Sequence, residues 1–206
     1  MNAKAIDTED KARQLCEKLY LAAKTSPTRR FHALYDKVYR MDFLENAWEQ
    51  VKRNGGSAGV DGENISDILM KEPENVLSEL QEVLEAKKYR PKSVRRVHIP
   101  KPDGRERPLG IPTVRDRIVQ ASTKSVIEPI FEADFLDCSY GFRPGRSPHD
   151  ALESIRKANN AGYTVVLDAD IKGYFDNINH DWLIECVEKR ISDRRVVKLI
   201  RQWLKS

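Results

Sequence analysis

Residues 163–181 read Tyr163-Thr164-Val165-Val166-Leu167-Asp168-Ala169-Asp170-Ile171-Lys172-Gly173-Tyr174-Phe175-Asp176-Asn177-Ile178-Asn179-His180-Asp181. Tyr163 to Ile171 has the composition of a strand, and the run Val165, Val166, Leu167 predicts a buried one. Asp168 and Asp170 lie two apart, so on a strand they share a face. Carboxylates at the end of a buried strand are costly unless paired or metal-bound. Spacing alone leaves three readings open: a divalent-metal site, a turn or helix cap at the strand's edge, or ion pairs with some of the chain's many arginines.

A second informative element lies upstream. Val94 to Pro100 is strand-like, Pro102-Asp103-Gly104 is turn chemistry, and Arg105 to Ile111 returns as a second strand, which predicts a β-hairpin. Thr113 with Asp116 three residues later predicts the N-terminus of a helix reaching Val126 or beyond. Tyr140 to Ser147, rich in Gly, Pro and Arg, reads as a loop, and Pro148 opens a helix to about Asn159. After the Asp-x-Asp segment, Trp182, Leu183, Cys186 and Val187 mark one helix. Val196, Leu199, Ile200, Trp203 and Leu204 mark another.

The N-terminal part is helical throughout. Ala12, Leu15, Cys16, Leu19 and Ala23 predict a helix over 8–23, ended by Ser26-Pro27, and a short helix is expected over 28–39. Asp42 with Glu45 resembles a capping box for a helix through Trp48 and Val51, which Asn54-Gly55-Gly56 stops. Gly59-Val60-Asp61-Gly62 reads as a tight turn. Pro73 belongs in the first turn of a helix whose stripe is Val76, Leu77, Leu80, Val83 and Leu84.

The chain has 206 residues, 40% hydrophobic and 33% charged, with a net charge of +4. That bounds it to one large or two small domains with a real core. The distribution of charge is more informative than the total. Between Lys87 and Arg107 lie Lys87, Lys88, Arg90, Lys92, Arg95, Arg96, Lys101, Arg105 and Arg107, opposed by Asp103 and Glu106. Such a stripe is either a footprint for phosphates or a solvated basic face. Cys16, Cys138 and Cys186 form no CxxC pair and sit among apolar residues, which predicts reduced core thiols and no zinc site. No signal-type or membrane-length apolar run occurs, so a cytoplasmic, membrane-free protein is expected. The last apolar stripe runs almost to Ser206, which reads as a cut chain or as a native helical terminus.

The Asp168–Asp181 segment resembles the first polymerase motif of reverse transcriptases in their group II intron form, Asp-x-Asp-x-x-x-Phe/Tyr-Phe-Asp followed by x-Ile/Val-Asn-His-Asp. Three further blocks agree in order: Asn54–Gly62 with the N-terminal extension that borders the template and helps hold intron RNA, Ile99–Thr113 with the fingers hairpin, and Ser139–Ser147 with a template-side block. The resemblance implies an α/β (α+β) fold: a helical N-terminal extension over 1–62, fingers with a β-hairpin over 63–147, and an incomplete palm over 148–206. It implies that Asp170 is the catalytic residue and metal ligand, assisted by the backbone carbonyl of Ile171. Phe175 would lie under the incoming sugar, and Lys101 and Arg107 would hold the triphosphate. Arg95, Arg96 and Arg143 would contact nucleic acid. The implied cofactor is Mg²⁺, two ions in the intact enzyme. The implied partners are an RNA template, a DNA primer, deoxynucleoside triphosphates and group II intron RNA.

The chain departs from that pattern in one respect. The family draws two more carboxylates from a later Tyr-x-Asp-Asp hairpin, and no such tetrapeptide occurs here; Tyr174-Phe175-Asp176-Asn177 matches it only superficially. One catalytic carboxylate does not hold two ions about 3.5–4 Å apart. The chain alone is therefore expected not to polymerise. An RNA-binding maturase role without catalysis, or a CRISPR-associated or retron lineage, are the competing readings. The strand over 163–171, lacking partners from that hairpin, is expected to be an open apolar edge that favours self-association.

Overall fold

The computed structural model describes residues 3–100, 104 and 106–206, with side chains from residue 10 onward. Helix α1 spans Ala3–Thr25, α2 Tyr35–Val38, α3 Met41–Asn54, α4 Ile65–Met70 and α5 Pro73–Glu85. Strands β1 (Arg95–Pro100) and β2 (Glu106–Ile111) follow. Helix α6 spans Val114–Glu132, α7 Pro148–Asn160, α8 His180–Glu188 and α9 Arg194–Leu204. The expected mixed class holds: helices dominate, and the described residues contain one two-stranded antiparallel sheet. None of the described helices is long and apolar enough to cross a membrane.

Local chemistry accounts for most boundaries. Thr113 caps α6 by accepting from the Asp116 N–H, and Pro73 takes the first position of α5. Gly55 ends α3 at φ 65°, a conformation that favours glycine. Two elements differ from expectation. Residues 28–34 are not helical, because Phe31 forms a parallel bridge with Ile191: its N–H donates to the Arg190 carbonyl at 2.7 Å and its carbonyl accepts from Ser192 at 2.8 Å. Asp42 forms no capping box. It lies inside α3, where its carboxylate pairs with Arg40, and Arg40 is the N-cap without a side-chain bond.

One hydrophobic core joins both ends of the chain. Phe43 and Leu44 of α3, Ile118 and Ile130 of α6, Leu84 of α5, and Ile184 of α8 are all fully buried in it. Burying each such side chain is worth about 1.5–3 kcal/mol. Asp193 and Arg190 fasten the C-terminal helices to this core. The Asp193 carboxylate accepts from the N–H groups of Leu34 (3.0 Å) and Tyr35 (2.9 Å) and also caps α9. The Arg190 guanidinium donates to the carbonyls of Pro27 and Ala23 and pairs with Asp134 at 3.1 Å. Cys16 is half-buried, but Cys138 and Cys186 are exposed, contrary to the expectation of core thiols. On α8, Ile184 is buried and Val187 packs against the core, but Cys186 lies on the exposed side of the helix.

The expected buried strand over 163–171 is absent. The segment is extended without a ladder partner among the described residues, and Val165, Val166 and Leu167 are 91, 82 and 93% exposed. A strand needs a neighbour for its backbone groups and a cover for its faces. The described residues supply neither, and α7, which precedes the segment, also buries no residue.

Candidate nucleotide and nucleic-acid site

The hairpin sets the cations in register. Arg95 pairs with Ile111, Arg96 with Gly110, and Ile99 with Arg107. Directly opposed residues share a face, so Arg95 and Arg107 lie on one side of the hairpin and Arg96 on the other. Arg96 and Arg107 are exposed and form no ion pair among the described residues. Arg95 is partly committed, since its Nε donates to the Ala58 carbonyl at 3.0 Å. Lys101, the other expected triphosphate ligand, lies outside the described residues.

That bond from Arg95 ties the hairpin to the glycine-rich loop over 54–62, which a second arginine holds from beneath. Arg117 on α6 donates to the Gly55 carbonyl at 2.9 Å and to the Ser57 carbonyl at 2.8 Å. A Cβ on Gly56 would stand 2.8 Å from the Arg117 guanidinium, and one on Gly59 would stand 2.6 Å from the Thr113 backbone. Gly56 and Gly59 thus lie too close to Arg117 and Thr113 for a side chain, while Gly55 and Gly62 have open space but positive φ. Sequence reading did not single out Arg117. Its only sequence signal is its distance of four residues from the Thr113 cap, which places it on the first turns of α6.

The Asp-x-Asp segment is presented to solvent. Asp168 and Asp170 are exposed on the extended stretch and form no ion pair among the described residues. The Ile171 side chain is also exposed. The chain then turns: Gly173 takes φ 61°, and its carbonyl accepts from both the backbone N–H of Asn177 (3.2 Å) and the Asn177 side-chain amide (2.8 Å). This closes a 3-10 turn over Phe175–Asn177 that leaves Phe175 79% exposed, its ring edge-on to Tyr174 at 5.5 Å. Asn179 next caps α8 by accepting from the N–H groups of Asp181 and Trp182, so the Asn-His-Asp run is a helix start. Among the described residues no group of three or more His, Cys, Asp or Glu gathers as a metal site. The carboxylates described here therefore do not by themselves fit a two-ion centre.

Arg143 faces inward. Its Nε and Nη2 grip the Glu132 carboxylate, its Nη1 donates to the carbonyls of Leu136 (2.7 Å) and Ser139 (2.6 Å), and it stacks over Phe135. With four of its five N–H donors engaged inside the fold, Arg143 is a staple of the 132–143 loop. Its neighbour Phe142 projects fully into solvent at φ 56°, not into the core.

Residues 99–206 match the family described as reverse transcriptase (RNA-dependent DNA polymerase). The chain belongs to that family, whose members generally use divalent metal ions. Among its relatives, Protein YkfC of Escherichia coli K12 is 37% identical over 199 residues, covering 94% of this chain and 52% of that protein. Group II intron-encoded protein LtrA of Lactococcus lactis is 35% identical over 179 residues, 85% of this chain and 29% of LtrA. Nuclear intron maturase 1 of Arabidopsis thaliana is 39% identical over 94 residues, 46% of this chain and 13% of the maturase. The chain thus spans about half, or less, of the length of these relatives.

Proposed function

We propose that the chain forms the fingers and the opening part of the palm of a group II intron reverse transcriptase. The observation that carries this reading is the ordered set of four motif blocks, with the family match running from the hairpin through the Asp-x-Asp turn. The divisions at residues 62 and 147 belong to the same proposal. In the intact polymerase the primer 3′-hydroxyl attacks the α-phosphorus of a deoxynucleoside triphosphate, and pyrophosphate leaves. Asp170 and the Ile171 carbonyl would hold Mg²⁺ there, with carboxylates that this chain's described residues do not provide. That ion chemistry would supply charge neutralisation at the reacting phosphate.

The chain's own residues have definite tasks in this reading. Arg107 and Lys101 place positive charge on a hairpin that can close over a triphosphate. The turn closed by Gly173 and Asn177 presents Phe175 as a flat surface for the sugar of the incoming nucleotide. Arg95 and Arg96 serve a nucleic-acid strand, Arg95 with its remaining donors. Arg143 acts by holding the 132–143 loop in place.

The test is Asp170→Asn in a protein that includes the complementary palm carboxylates. Primer extension is abolished while RNA affinity stays within about twofold. Extension at the unsubstituted rate would refute the assignment. The chain by itself gives no magnesium-dependent extension, because one Asp-x-Asp segment does not assemble the ion pair. Its residual capacity is RNA binding, the maturase-type role, which the exposed hairpin cations favour.

A further inference from the structure

A shallow cleft of about 80 Å³ lies between the turn after α5 and helix α9. Its lining includes two buried rings, Tyr35 and Tyr89, and four exposed cations, Lys87, Arg90, Arg195 and Lys198; no carboxylate lines it. Asp193 offsets Arg195 at 2.9 Å. Lys87, Arg90 and Lys198 form no ion pair among the described residues. Two of the four are fixed in place: Arg195 lies over the Tyr35 ring at 5.3 Å, and Arg90 donates to the Tyr89 carbonyl at 2.8 Å. Lys87 is held at φ 58°, a strained value for a side-chain-bearing residue, at the end of α5. The three unpaired cations repel one another across the cleft, and an anion bound there relieves that repulsion.

The charge continues along α9. Arg194, Lys198, Arg201 and Lys205 recur at intervals of four, three and four residues, a cationic stripe on one helical face. It runs about 16 Å at helical rise. Arg201 meets Asp181 at 3.2 Å, an exposed pair of little strength. A free phosphate would use one point of such a stripe, whereas a strand of phosphates uses its length.

We propose that this cleft and the α9 stripe bind the sugar-phosphate backbone of an RNA strand, separately from the residues assigned to polymerisation. The proposal rests on the reading of the chain as a nucleic-acid-binding member of its family. The test is fluorescence anisotropy of a labelled single-stranded RNA with the wild-type chain, Lys87→Gln/Lys198→Gln and Lys87→Arg/Lys198→Arg, each checked for fold by circular dichroism. The Gln pair should weaken binding at least about tenfold and flatten the slope of log affinity against log salt by about 1.4, or about 0.7 per lost contact. The Arg pair should bind like wild type. Equal affinity and slope for wild type and the Gln pair would overturn the cleft assignment while leaving RNA binding elsewhere on the chain intact. Absence of RNA binding by wild type would overturn both. If inorganic pyrophosphate binding is lost in the Gln pair while RNA binding is unchanged, the cleft takes a free anion and the proposal fails.

Discussion

Replacing Asp193 by alanine should separate the C-terminal helices from the rest of the core. The carboxylate is 3% exposed and receives the Leu34 and Tyr35 N–H groups on one oxygen and the Arg195 backbone N–H on the other. Burial alone would push its pKa up. The Arg195 guanidinium and the three N–H donors outweigh that and bring it from 3.8 down to about 2. A carboxyl titrating near 2 when folded and near 3.8 when unfolded contributes about 2.4 kcal/mol at neutral pH. Because the folded pKa is the lower one, that contribution is complete above the unfolded value and is lost as pH falls toward 2. About a third of it survives at pH 2.5. Asp193→Ala also strands two buried N–H groups, so about 3 kcal/mol should be lost at pH 7. For a chain of this size that is about 6–12 °C in the unfolding midpoint. The assay is thermal or urea unfolding by circular dichroism at pH 7 and pH 2.5. The wild-type advantage should shrink by about 1.5 kcal/mol or more at the lower pH. A loss under about 1 kcal/mol at pH 7, or an undiminished gap at pH 2.5, would show that the Asp193 carboxylate does not hold the C-terminal helices to the core.

Three other outcomes follow from the packing. Gly59→Ala drives a methyl into the Thr113 backbone. It should cost about 1–3 kcal/mol and shift amide signals of the 54–62 loop, whereas wild-type unfolding would show the methyl is accommodated. Tyr89→Phe removes a 2.6 Å hydrogen bond to the buried Asp116 carboxylate and the acceptor of the Trp203 indole N–H. A loss of about 1–3 kcal/mol with an altered Trp203 emission is expected, and unchanged stability would show that Asp116 finds a replacement donor. The exposed run of Val165, Val166 and Leu167 should make the chain associate as its concentration rises. A constant monomer mass in sedimentation would count against that, and Val166→Lys should suppress the association.

Much of the fold was legible because local rules govern it. The hairpin is written in alternation and a Pro-Asp-Gly turn, α6 in the Thr113 cap, and α5 in Pro73 and its apolar stripe. The order of the four motif blocks was legible for the same reason, since each is a contiguous turn, loop or hairpin. The Asp42–Glu45 pattern misled, because the adjacent Arg40 captured the carboxylate that a cap would have used. The pairing of Arg143 with Glu132, eleven residues upstream, was not legible either, because only the folded loop brings that carboxylate to the guanidinium.

The hairpin, most of the helices, the family and the position of Asp170 in its motif could be read from the residues alone, because these depend on neighbours a few residues away. Long-range contacts fix the rest: residues 28–34 give up a helix to bridge with Ile191, Asp193 secures Tyr35 from more than 150 residues away, and the cations of α9 meet Lys87 and Arg90 across one cleft. The tertiary structure also leaves Tyr163–Ile171 extended and uncovered. The physical reason is the same in each case. A backbone N–H, a carboxylate or an apolar face is satisfied by whatever partner the fold brings near, and that partner is not written in the local sequence.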